Sequence, residues 1–441
     1  MTIQEKLVIK NFFSIKEFEW DIRGFNILTG GMASGKSLAL KLLYFCEQIF
    51  HRTIFNEPNL TKDKLGEDKF FDTVRDIFYQ LFPSKNREID FGNTIIKYEY
   101  TLSPDNNTLY PDGTLFPSFI AKCDLSAKWS KECNNFKWSS DYITGSLGKW
   151  QKLFDVPKTL DLADIVKTNI NSSILADFHS TFPFASMFIP ASRAIAAIVE
   201  NVASRDHFIS KFMEFKNFAL SFDNISNDIV NKILRVKNIT TTDKNEPEFE
   251  LPDDRKITAL ELSSGQQELL YLLLLINDLK NTVFRYGGPI SVFIEEPCAH
   301  LFPKEQKETM EFLVDHFHLL QNKKDYGPGY RFFISTHSPY VLDTINNILE
   351  KRRLLTKAEK IKKTDQKNEI IKKINALSFP DLAIENVSAY MINNDGQVMS
   401  MINAEEEGYY IYSAVIESIA NIISVDADKL FDINQDIVEH L

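Results

Sequence analysis

The sequence is poor in cysteine and has no long apolar run. Its 441 residues include four cysteines, Cys46, Cys123, Cys133 and Cys298, and no two of them form a C-x-x-C pair. This excludes a disulfide framework and the usual cysteine zinc sites, so we expect a protein of the reducing cytoplasm. The amino-terminal segment lacks an apolar signal core, and no run approaches the roughly 18 apolar residues of a membrane-spanning helix. We therefore expect neither secretion nor contact with a membrane.

The sequence also lacks an excess of positive charge. Its 50 Lys and Arg residues are outnumbered by 61 Asp and Glu residues, which gives a net charge of -11 and argues against a protein that coats nucleic acid. One segment departs from this balance, because residues 350–374 hold ten Lys or Arg and four Asp or Glu. This basic segment could contact DNA or an acidic partner, but a solvated helical arm is the simpler interpretation.

Glycine is scarce as well, yet three of the 16 glycines lie in one short segment, GGMASGKS, at residues 30–37. The segment fits the phosphate-loop pattern G-x-x-x-x-G-K-[ST], and a buried strand precedes it and a helix follows it, as the pattern requires. The glycines let backbone N–H groups face phosphates, Lys36 can reach the outer phosphates, and Ser37 can bind Mg²⁺. We predict a nucleotide site formed by Gly30, Gly31, Ser34, Gly35, Lys36, Ser37 and Leu38.

Carboxylates and a histidine follow two later buried strands. The apolar run ISVFI ends in Glu295 and Glu296, and the run FFIST ends at His337. Neighbouring side chains on a strand point in different directions, so we expect Glu295 to hold the metal and Glu296 to polarise an attacking water. A histidine at this position can bond a γ-phosphate or the same water. A solvated loop start and a structural histidine are the alternatives.

A further polar segment, Ser263-Ser264-Gly265, stands directly before a strongly apolar helix. Serine is a good helix cap, and we expect Gln267 or Glu268 to close a capping box. A helix start of this composition can also bind an anion. A single chain has no evident need of two phosphate sites, so the pattern by itself does not decide between the two interpretations.

The remaining pattern predicts an α/β protein whose nucleotide core is split by a long middle segment. We expect two strands within residues 6–20, a third within 24–30, a strand at 93–103, a short strand within 185–192 and a hairpin that turns at Asp395-Gly396. Helices are predicted over 70–82, 160–182, 193–236 and 304–320, from Tyr340 onward and at the carboxyl terminus. The expected divisions are 1–60 and 241–345 for the core, 61–240 for an inserted mixed α/β and helical lobe, 346–380 for a basic helical segment, and 381–441 for the hairpin and a helical partner-binding region.

Taken in order, these motifs resemble those of an ABC-type ATPase of the soluble branch that includes RecF, SMC, zinc-hook and OLD-family proteins. The segment GGMASGKS resembles the Walker A motif, LSSGQQ the signature motif, VFIEEPCAHLFP the Walker B motif and D-loop, and FFISTHSP the switch-histidine segment. The resemblance implies an ABC-type P-loop ATPase head with a mixed β-sheet lobe and an inserted, largely helical lobe. It also implies ATP and Mg²⁺ as cofactors.

The resemblance implies a reason for two phosphate-binding segments. In that family two heads face each other head to tail, so the signature of one copy caps the ATP held by the Walker A motif of the other. This implies a homodimer or higher homo-oligomer. By position, Lys36 and Ser37 match the phosphate and metal residues, and Glu295 matches the Walker B acid. Glu296 matches the catalytic glutamate, His337 the switch histidine, and Ala299 and His300 the D-loop. The signature that would act in trans matches Ser263, Ser264, Gly265 and Gln266.

Three residues depart from the family pattern. Met32 stands where many relatives have Asn, Glu295 where Asp is commoner, and Ser264 where the signature has Gly. A longer acidic side chain at the metal and a changed signature both favour slow hydrolysis. We therefore expect the ATP-bound assembly to be the main working state.

The forms EEP, AHLFP and STHSP favour the OLD-like ATPases found in bacterial anti-phage systems. The resemblance then implies a switch or scaffold that controls a separate Toprim nuclease or toxin, as in two-gene systems of the PARIS kind, with DNA or a phage protein as trigger. A RecF-like or zinc-hook-like repair clamp and a transporter ATPase are the alternatives. No heptads run between Ser37 and Leu262 to form a long coiled-coil arm. The pair Asp426 and Asp428 could suggest a Toprim domain in this chain, but a polar helix end is the simpler account.

Overall fold

The computed structural model describes residues 2–51, 78, 81–82, 94–103, 119–124, 185–191, 228–241, 247–286, 290–321, 330–362, 364–377, 380–405 and 408–411. Several predictions lie outside these residues. They are the helices over most of 70–82, over 160–182 and over 193–227, the carboxyl-terminal helix, and the acidic pair at 426 and 428. The helix expected to end near residue 236 is described only over 228–234.

The described elements alternate between strands and helices, which confirms the predicted α/β class. The helices are α1 (Lys36–His51), α2 (Asp228–Leu234), α3 (Ser264–Tyr286), α4 (Pro303–Gln321), α5 (Pro339–Glu359) and α6 (Thr364–Asn375). The strands are β1 (Thr2–Phe12), β2 (Ile15–Asp21), β3 (Phe25–Thr29), β4 (Ile95–Ser103), β5 (Phe119–Asp124), β6 (Ala185–Ile189), β7 (Asn238–Thr241), β8 (Pro247–Glu250), β9 (Lys256–Thr258), β10 (Ile290–Glu295), β11 (Tyr330–Thr336), β12 (Val387–Ile392), β13 (Val398–Ser400), β14 (Ile402–Glu405) and β15 (Gly408–Ile411).

The central sheet has the strand order β13-β12-β3-β11-β10-β6. All neighbours in it are parallel except the β12–β13 hairpin. Strands buried on both faces read as continuous apolar runs, as β3 and β10 do. One row of paired residues crosses five parallel strands. Because these strands are parallel and in register, the carboxyl ends of β3, β11 and β10 meet at one edge of the sheet. The row consists of Ala389, Ile27, Ile334, Ile294 and Ile189.

Helices bury the apolar faces of this sheet. The run from Leu269 to Ile276 lies in α3 and is buried throughout, as the sequence predicts for an interior helix. Helices α3, α4 and α5 share one hydrophobic cluster with strands β3, β10 and β11. Within the described residues no helix combines the length and the apolar character needed to cross a membrane.

A second, antiparallel sheet has the order β2-β1-β4-β5. Strands β4 and β6 both come from the range 61–240, so the range expected to form an inserted lobe contributes strands to both large sheets. The indole nitrogen of Trp20 donates to Ser388 at 3.1 Å, and Ser388 donates to Asn26 at 2.9 Å. Asn26 in turn donates to the carbonyl of Phe332 at 3.1 Å. These bonds tie β2 to β12, β3 and β11.

The hairpin predicted at Asp395-Gly396 is confirmed as β12 and β13. Gly396 has a φ of +79°, and a Cβ there would lie 2.1 Å from the carbonyl oxygen of Ser14. The amide of Lys16 donates to the Gly396 carbonyl at 2.9 Å. Only a glycine allows this close approach. The hairpin therefore fixes the position of the β1–β2 turn, which borders the phosphate loop.

A buried ionic network joins the two large sheets to the helix that follows the phosphate loop. The Arg331 guanidinium on β11 forms an ion pair with Glu5 on β1 at 2.7 Å and lies 3.5 Å from Glu47 on α1. The Tyr98 hydroxyl on β4 donates to the other Glu5 oxygen at 2.6 Å. All four side chains are buried. Removing one partner from such a network leaves an uncompensated buried charge, which is strongly destabilising.

The surroundings of Glu47 change the pKa of its carboxyl. Burial raises the pKa of its carboxyl to about 7, although the nearby Arg331 charge acts in the opposite direction. The charge of Glu5 raises the pKa further, while hydrogen bonds from Ser186 at 2.6 Å and Ser291 at 3.0 Å lower it. Glu47 therefore gains or loses its proton near neutral pH.

We predict that Glu47→Gln changes how stability depends on pH. The folded pKa of Glu47 lies above its usual value of 4.5, so the folded protein holds this proton more tightly than the unfolded chain does. The contribution of this bound proton to the free energy of unfolding is fully present below the pKa of Glu47 in the unfolded chain. It is lost as the pH rises through about 7, the pKa in the folded protein. For one buried carboxyl, the loss is on the order of 3 kcal/mol.

Urea denaturation of both proteins between about pH 5 and about pH 8 measures this difference. The wild type should lose stability relative to the Gln variant as the pH rises. A difference that stays constant across the range would contradict the prediction.

Candidate functional site

A cavity of about 470 Å³ lies at the edge where β3, β10 and β11 end. It brings together the phosphate loop, the β1–β2 turn, the carboxylate that follows β10 and the histidine that follows β11. The lining residues are Phe13, Ser14, Met32, Ala33, Ser34, Gly35, Lys36, Ser37, Leu38, Glu296 and His337.

Two glycines give the phosphate loop its shape. Gly30 has a φ of +143° and Gly35 a φ of +114°. A Cβ at Gly30 would lie 2.2 Å from the carbonyl oxygen of Ile392, and one at Gly35 would lie 2.8 Å from the Ser14 hydroxyl. Both positions therefore need glycine for backbone conformation and for space. After Gly35 the chain enters α1, whose amino-terminal N–H groups favour a bound anion.

Lys36 lies inside the loop. Its side chain is almost fully buried, and its ammonium donates to the carbonyls of Gly30 at 2.9 Å and Gly31 at 2.8 Å. Burial lowers the pKa of Lys36, and the nearby charge of Glu296 opposes this shift. The ammonium of Lys36 is thus held within the curve of the loop, near the Glu296 carboxylate that follows β10.

The two adjacent glutamates have different surroundings, as strand alternation predicts. Glu295 is buried, and its carboxylate accepts a hydrogen bond from the amide of Ala191 at 3.2 Å. Glu296 has a φ of +46°, a strained value for this residue type, and its side chain lines the cavity. Glu295 is not among the described side chains that line the cavity.

Glu296 and His337 form a pair across the ends of β10 and β11. The Glu296 Oε2 atom lies 2.8 Å from Nδ1 of His337 and accepts the backbone N–H of His337 at 3.2 Å. The amide of Glu296 donates to the Ser335 carbonyl at 2.9 Å, which continues the parallel pairing one step beyond the strand. The histidine side chain is exposed, and the carboxylate is mostly buried. The pair stands across the cavity from the phosphate loop.

The segment Ser263–Gln266 forms the start of α3. The Ser263 hydroxyl donates to Gln266 Oε1 at 2.9 Å, and the Ser263 amide donates to the same oxygen at 3.0 Å. The Gln266 amide points back to the Ser263 hydroxyl at 3.4 Å. A capping box is therefore present, but our prediction that Gln267 or Glu268 closes it is wrong. The third residue after the cap is Gln266, and its side chain alone has this spacing.

Gln267 and Glu268 have other partners. Gln267 donates to the carbonyls of Leu260 and Leu262, while Glu268 lies 2.9 Å from Nδ1 of His300. None of Ser263, Ser264, Gly265 and Gln266 is among the described residues that line the cavity. The structure therefore brings Lys36, Glu296 and His337 together and leaves the Ser263–Gln266 segment on a separate surface.

Sequence reasoning missed the β1–β2 turn as part of the site. Phe13 has a φ of +50° and a half-exposed ring that lines the cavity, whereas the neighbouring Phe12 is fully buried. Ser14 approaches Gly35 from the same turn. A second aromatic residue directly after a buried one breaks the strand alternation, and this break was the available signal.

Part of the chain is similar to a known protein family. A family model described as an AAA ATPase domain matches residues 166–342. The matched range contains Ser263–Gln266, Glu295, Glu296 and His337, and it begins after the phosphate loop. No curated protein matches the chain.

Solved structures give loose similarities over most of the chain. The SMC head domain from Thermotoga maritima is 13% identical, with 78% of this chain and 92% of that chain covered and a TM-score of 0.34. An SMC head bound to the C-winged helix domain of ScpA is also 13% identical. The match covers 77% of this chain and 92% of that chain, with a TM-score of 0.33. The recombination mediator protein RecF is 13% identical. The match covers 91% of this chain and 98% of that chain, with a TM-score of 0.25. We draw no functional conclusion from structural similarities with TM-scores this low.

The fold and the cavity are those of a P-loop type of protein with a mainly parallel central sheet. Residues 166–342 are similar to an AAA ATPase domain.

We predict that Gly30→Ala destabilises the protein while Gly31→Ala does not. A methyl group at position 30 would meet a fixed backbone carbonyl and an unfavourable φ, whereas one at position 31 would meet only the Asn394 side chain. Side chains can turn away, but the backbone of Ile392 is held in the sheet. We expect a loss of about 3 kcal/mol for Gly30→Ala. Denaturation without nucleotide measures it, and equal stability of the two variants would contradict the prediction.

Proposed function

We propose that the protein is an ATP-binding and ATP-hydrolysing switch that works as a head-to-tail homodimer. One observation supports this most directly. The phosphate loop with its buried Lys36 faces the Glu296–His337 pair within a single cavity. The loop offers backbone N–H groups and a cation to a triphosphate, and the pair offers a base at the opposite wall. Such an arrangement suits phosphoryl transfer to water, which depends on positioning and charge stabilisation.

The residues of the cavity fit ATP with Mg²⁺. The curve of the loop that the two glycines permit, followed by the start of α1, is a backbone arrangement that suits phosphate binding. Ser37 lines the cavity and would hold the metal by its hydroxyl. Glu295 ends β10 outside the described lining of the cavity, and its place as the acidic partner in this proposal rests on the sequence motif. Mg²⁺ keeps several waters and needs few protein ligands. When bound, the ion neutralises charge on the phosphate oxygens.

In this proposal Glu296 orients the attacking water and accepts its proton. His337 holds the Glu296 carboxylate by two hydrogen bonds, one from the ring and one from the backbone. Lys36 would leave the carbonyls of Gly30 and Gly31 for the outer phosphates. The half-exposed ring of Phe13 stands at the rim and offers a face on which a base can stack.

Exposed apolar side chains support a head-to-tail pair. Met32, on the phosphate loop, is 91% exposed, and Phe13 beside it is 53% exposed. On the side of the Ser263–Gln266 segment, Leu260 is 60% exposed and Phe302 is 74% exposed. Large apolar groups of this kind are enriched at interfaces. A second copy that brings its Ser263–Gln266 segment to the cavity would cover both sets at once.

The biological role we propose is control of a separate effector in a bacterial anti-phage system. The support is the resemblance of the EEP, AHLFP and STHSP forms to OLD-like ATPases, together with the departures at Met32, Glu295 and Ser264, which favour slow turnover. A slowly hydrolysing dimer persists in its ATP state and can hold an effector, either a Toprim nuclease or a toxin. The trigger that we propose is DNA or a phage protein, and the site of action is the cytoplasm.

We predict that Lys36→Ala and Glu296→Gln have opposite effects on assembly. Lys36→Ala should abolish ATP binding and any ATP-dependent dimer, because the outer phosphates lose their cation. Glu296→Gln should keep ATP binding and prolong the dimer, while hydrolysis falls by about 100-fold or more. Size-exclusion chromatography with light scattering and a phosphate-release assay measure both properties.

Lys256→Ala serves as the control, since Lys256 is an exposed lysine that pairs with Glu248 away from the cavity. It should behave as the wild type. ATP binding and assembly that survive Lys36→Ala unchanged would refute the proposed function.

A second candidate function is a DNA clamp, and the basic segment favours it. Residues 350–359 end α5 and residues 364–374 lie in α6, and ion pairs are seen for some of the basic side chains of this segment. Arg352 pairs with Asp381, Arg353 with Glu350 and Lys373 with Glu369. Further exposed basic side chains on the same helical pair are Lys360, Lys362 and Lys372.

For this candidate we predict ATP-dependent, salt-sensitive binding of duplex DNA. Changing Lys360, Lys362 and Lys372 together to Ala should weaken binding and reduce the salt slope by up to about 3. Fluorescence anisotropy with a labelled duplex across a salt series measures this. Wild-type protein that does not bind DNA at low salt with ATP would exclude the clamp function.

A further inference from the structure

The serine that follows His337 uses its hydroxyl in an unexpected way. Ser338 is the residue at the amino-terminal cap of α5, where a serine side chain normally bonds to the first turn of its own helix. Here its hydroxyl makes no cap bond and instead donates to the side-chain carbonyl of Gln306 on α4. Both residues are 9% exposed. The Ser338 hydroxyl therefore bonds to α4 and does not cap α5.

The other end of the Gln306 side chain holds the loop between β10 and α4, residues 297–302, which we term the D-loop. Its amide nitrogen donates to the carbonyl of Leu301 at 2.9 Å. Its backbone amide also donates to the carbonyl of Phe302 at 3.1 Å. One buried amide side chain therefore bridges the D-loop and the start of α5, directly beside His337.

The D-loop also contacts the start of α3. Nδ1 of His300 lies 2.9 Å from the buried Glu268 carboxylate, one turn after the Ser263–Gln266 segment. A Cβ at Gly265 would lie 3.2 Å from the His300 carbonyl oxygen and 3.1 Å from the Leu301 side chain. A displacement of the start of α3 therefore presses on His300 and Leu301.

We propose that Gln306 is a positioning residue in a relay that runs from the start of α3 to His337. Glu268 and His300 form its first contact, Leu301 and Gln306 its second, and Gln306 and Ser338 its third. The relay rests on the proposed function, because its purpose is to couple contact at the Ser263–Gln266 segment to the Glu296–His337 pair. The state of one surface is thereby transmitted to the cavity on another.

Buried hydrogen bonds suit this role because they have few alternatives. In the interior a donor that loses its partner finds no water to replace it, so the bonded arrangement is strongly preferred. Gln306 is also suited by chemistry, since its amide donates at one end and accepts at the other. A carboxylate at this position can accept from Ser338 but cannot donate to Leu301.

Three substitutions test the relay. Ser338→Ala removes the third contact without removing a helix cap, and Ser338→Thr keeps the hydroxyl. Gln306→Glu breaks the second contact and keeps an acceptor for Ser338. Thr344→Val is the matched control, because it removes a buried hydroxyl of α5 that donates to the Tyr340 carbonyl of its own helix.

In steady-state ATPase assays, Ser338→Ala and Gln306→Glu should lower kcat by about tenfold or more, because His337 loses its position. The ATP Kd should stay within about twofold, since the phosphate loop is unchanged. Ser338→Thr should restore kcat, and Thr344→Val should match the wild type. Thermal unfolding of each variant shows whether it is folded. A kcat within about twofold of wild type for Ser338→Ala and Gln306→Glu would overturn the proposal.

Hydrogen exchange without nucleotide tests the relay separately from ATP turnover. We expect faster exchange of residues 337–341 in Ser338→Ala and also in Glu268→Gln, which alters the far end of the relay. The exchange should be unchanged in Thr344→Val. If Glu268→Gln leaves that segment unaffected, the relay does not exist, whatever the ATPase assays give. If the exchange responds but the wild type binds no ATP, the relay stands and the proposed function fails.

Discussion

The site depends on one constraint, the parallel pairing of β3, β11 and β10 in a fixed register. In a parallel sheet the carboxyl ends of neighbouring strands meet at the same edge, and each of these strands ends in chemically useful residues. The phosphate loop follows β3, Glu296 follows β10 and His337 follows β11. A shift of one residue in any strand would exchange the side chains packed on its two faces and disrupt the close packing against the helices on both sides. Packing on both faces therefore fixes the register, and the register fixes the geometry of the cavity.

Around this edge the structure places two kinds of support. The β12–β13 hairpin presses Gly396 against the β1–β2 turn, and that turn lies against Gly35 of the phosphate loop. On the other side, the ionic network of Arg331, Glu5 and Glu47 joins both sheets to α1, which carries Lys36 at its start. The loop is thus held by backbone contact at its outer face and by buried charge at the far end of its helix. Residues distant in the chain determine the shape of a local motif.

Much of this could be predicted from short stretches of sequence. The buried strands, the phosphate loop, the turn at Asp395-Gly396 and the interior helix at Leu269–Ile276 all carry local patterns, because alternation, glycine placement and apolar runs are local properties. The different surroundings of Glu295 and Glu296 also followed from strand alternation. The capping residue was mistaken because two serines stand at this helix start, and only the folded chain shows that Ser263 is the cap, which makes Gln266 the third residue after it.

The sequence by itself determined the α/β class, the phosphate loop and the residue types available for chemistry at the strand ends. Only the tertiary structure decided which of them meet. It brought Phe13 and Ser14 to the cavity, left Ser263–Gln266 on another surface, and buried Glu47 beside Arg331 and Glu5. It also joined Gln306 to Ser338, 32 residues apart along the chain. The physical reason is that helix and strand patterns arise from neighbours in sequence, whereas sites and buried polar contacts arise from packing between distant segments.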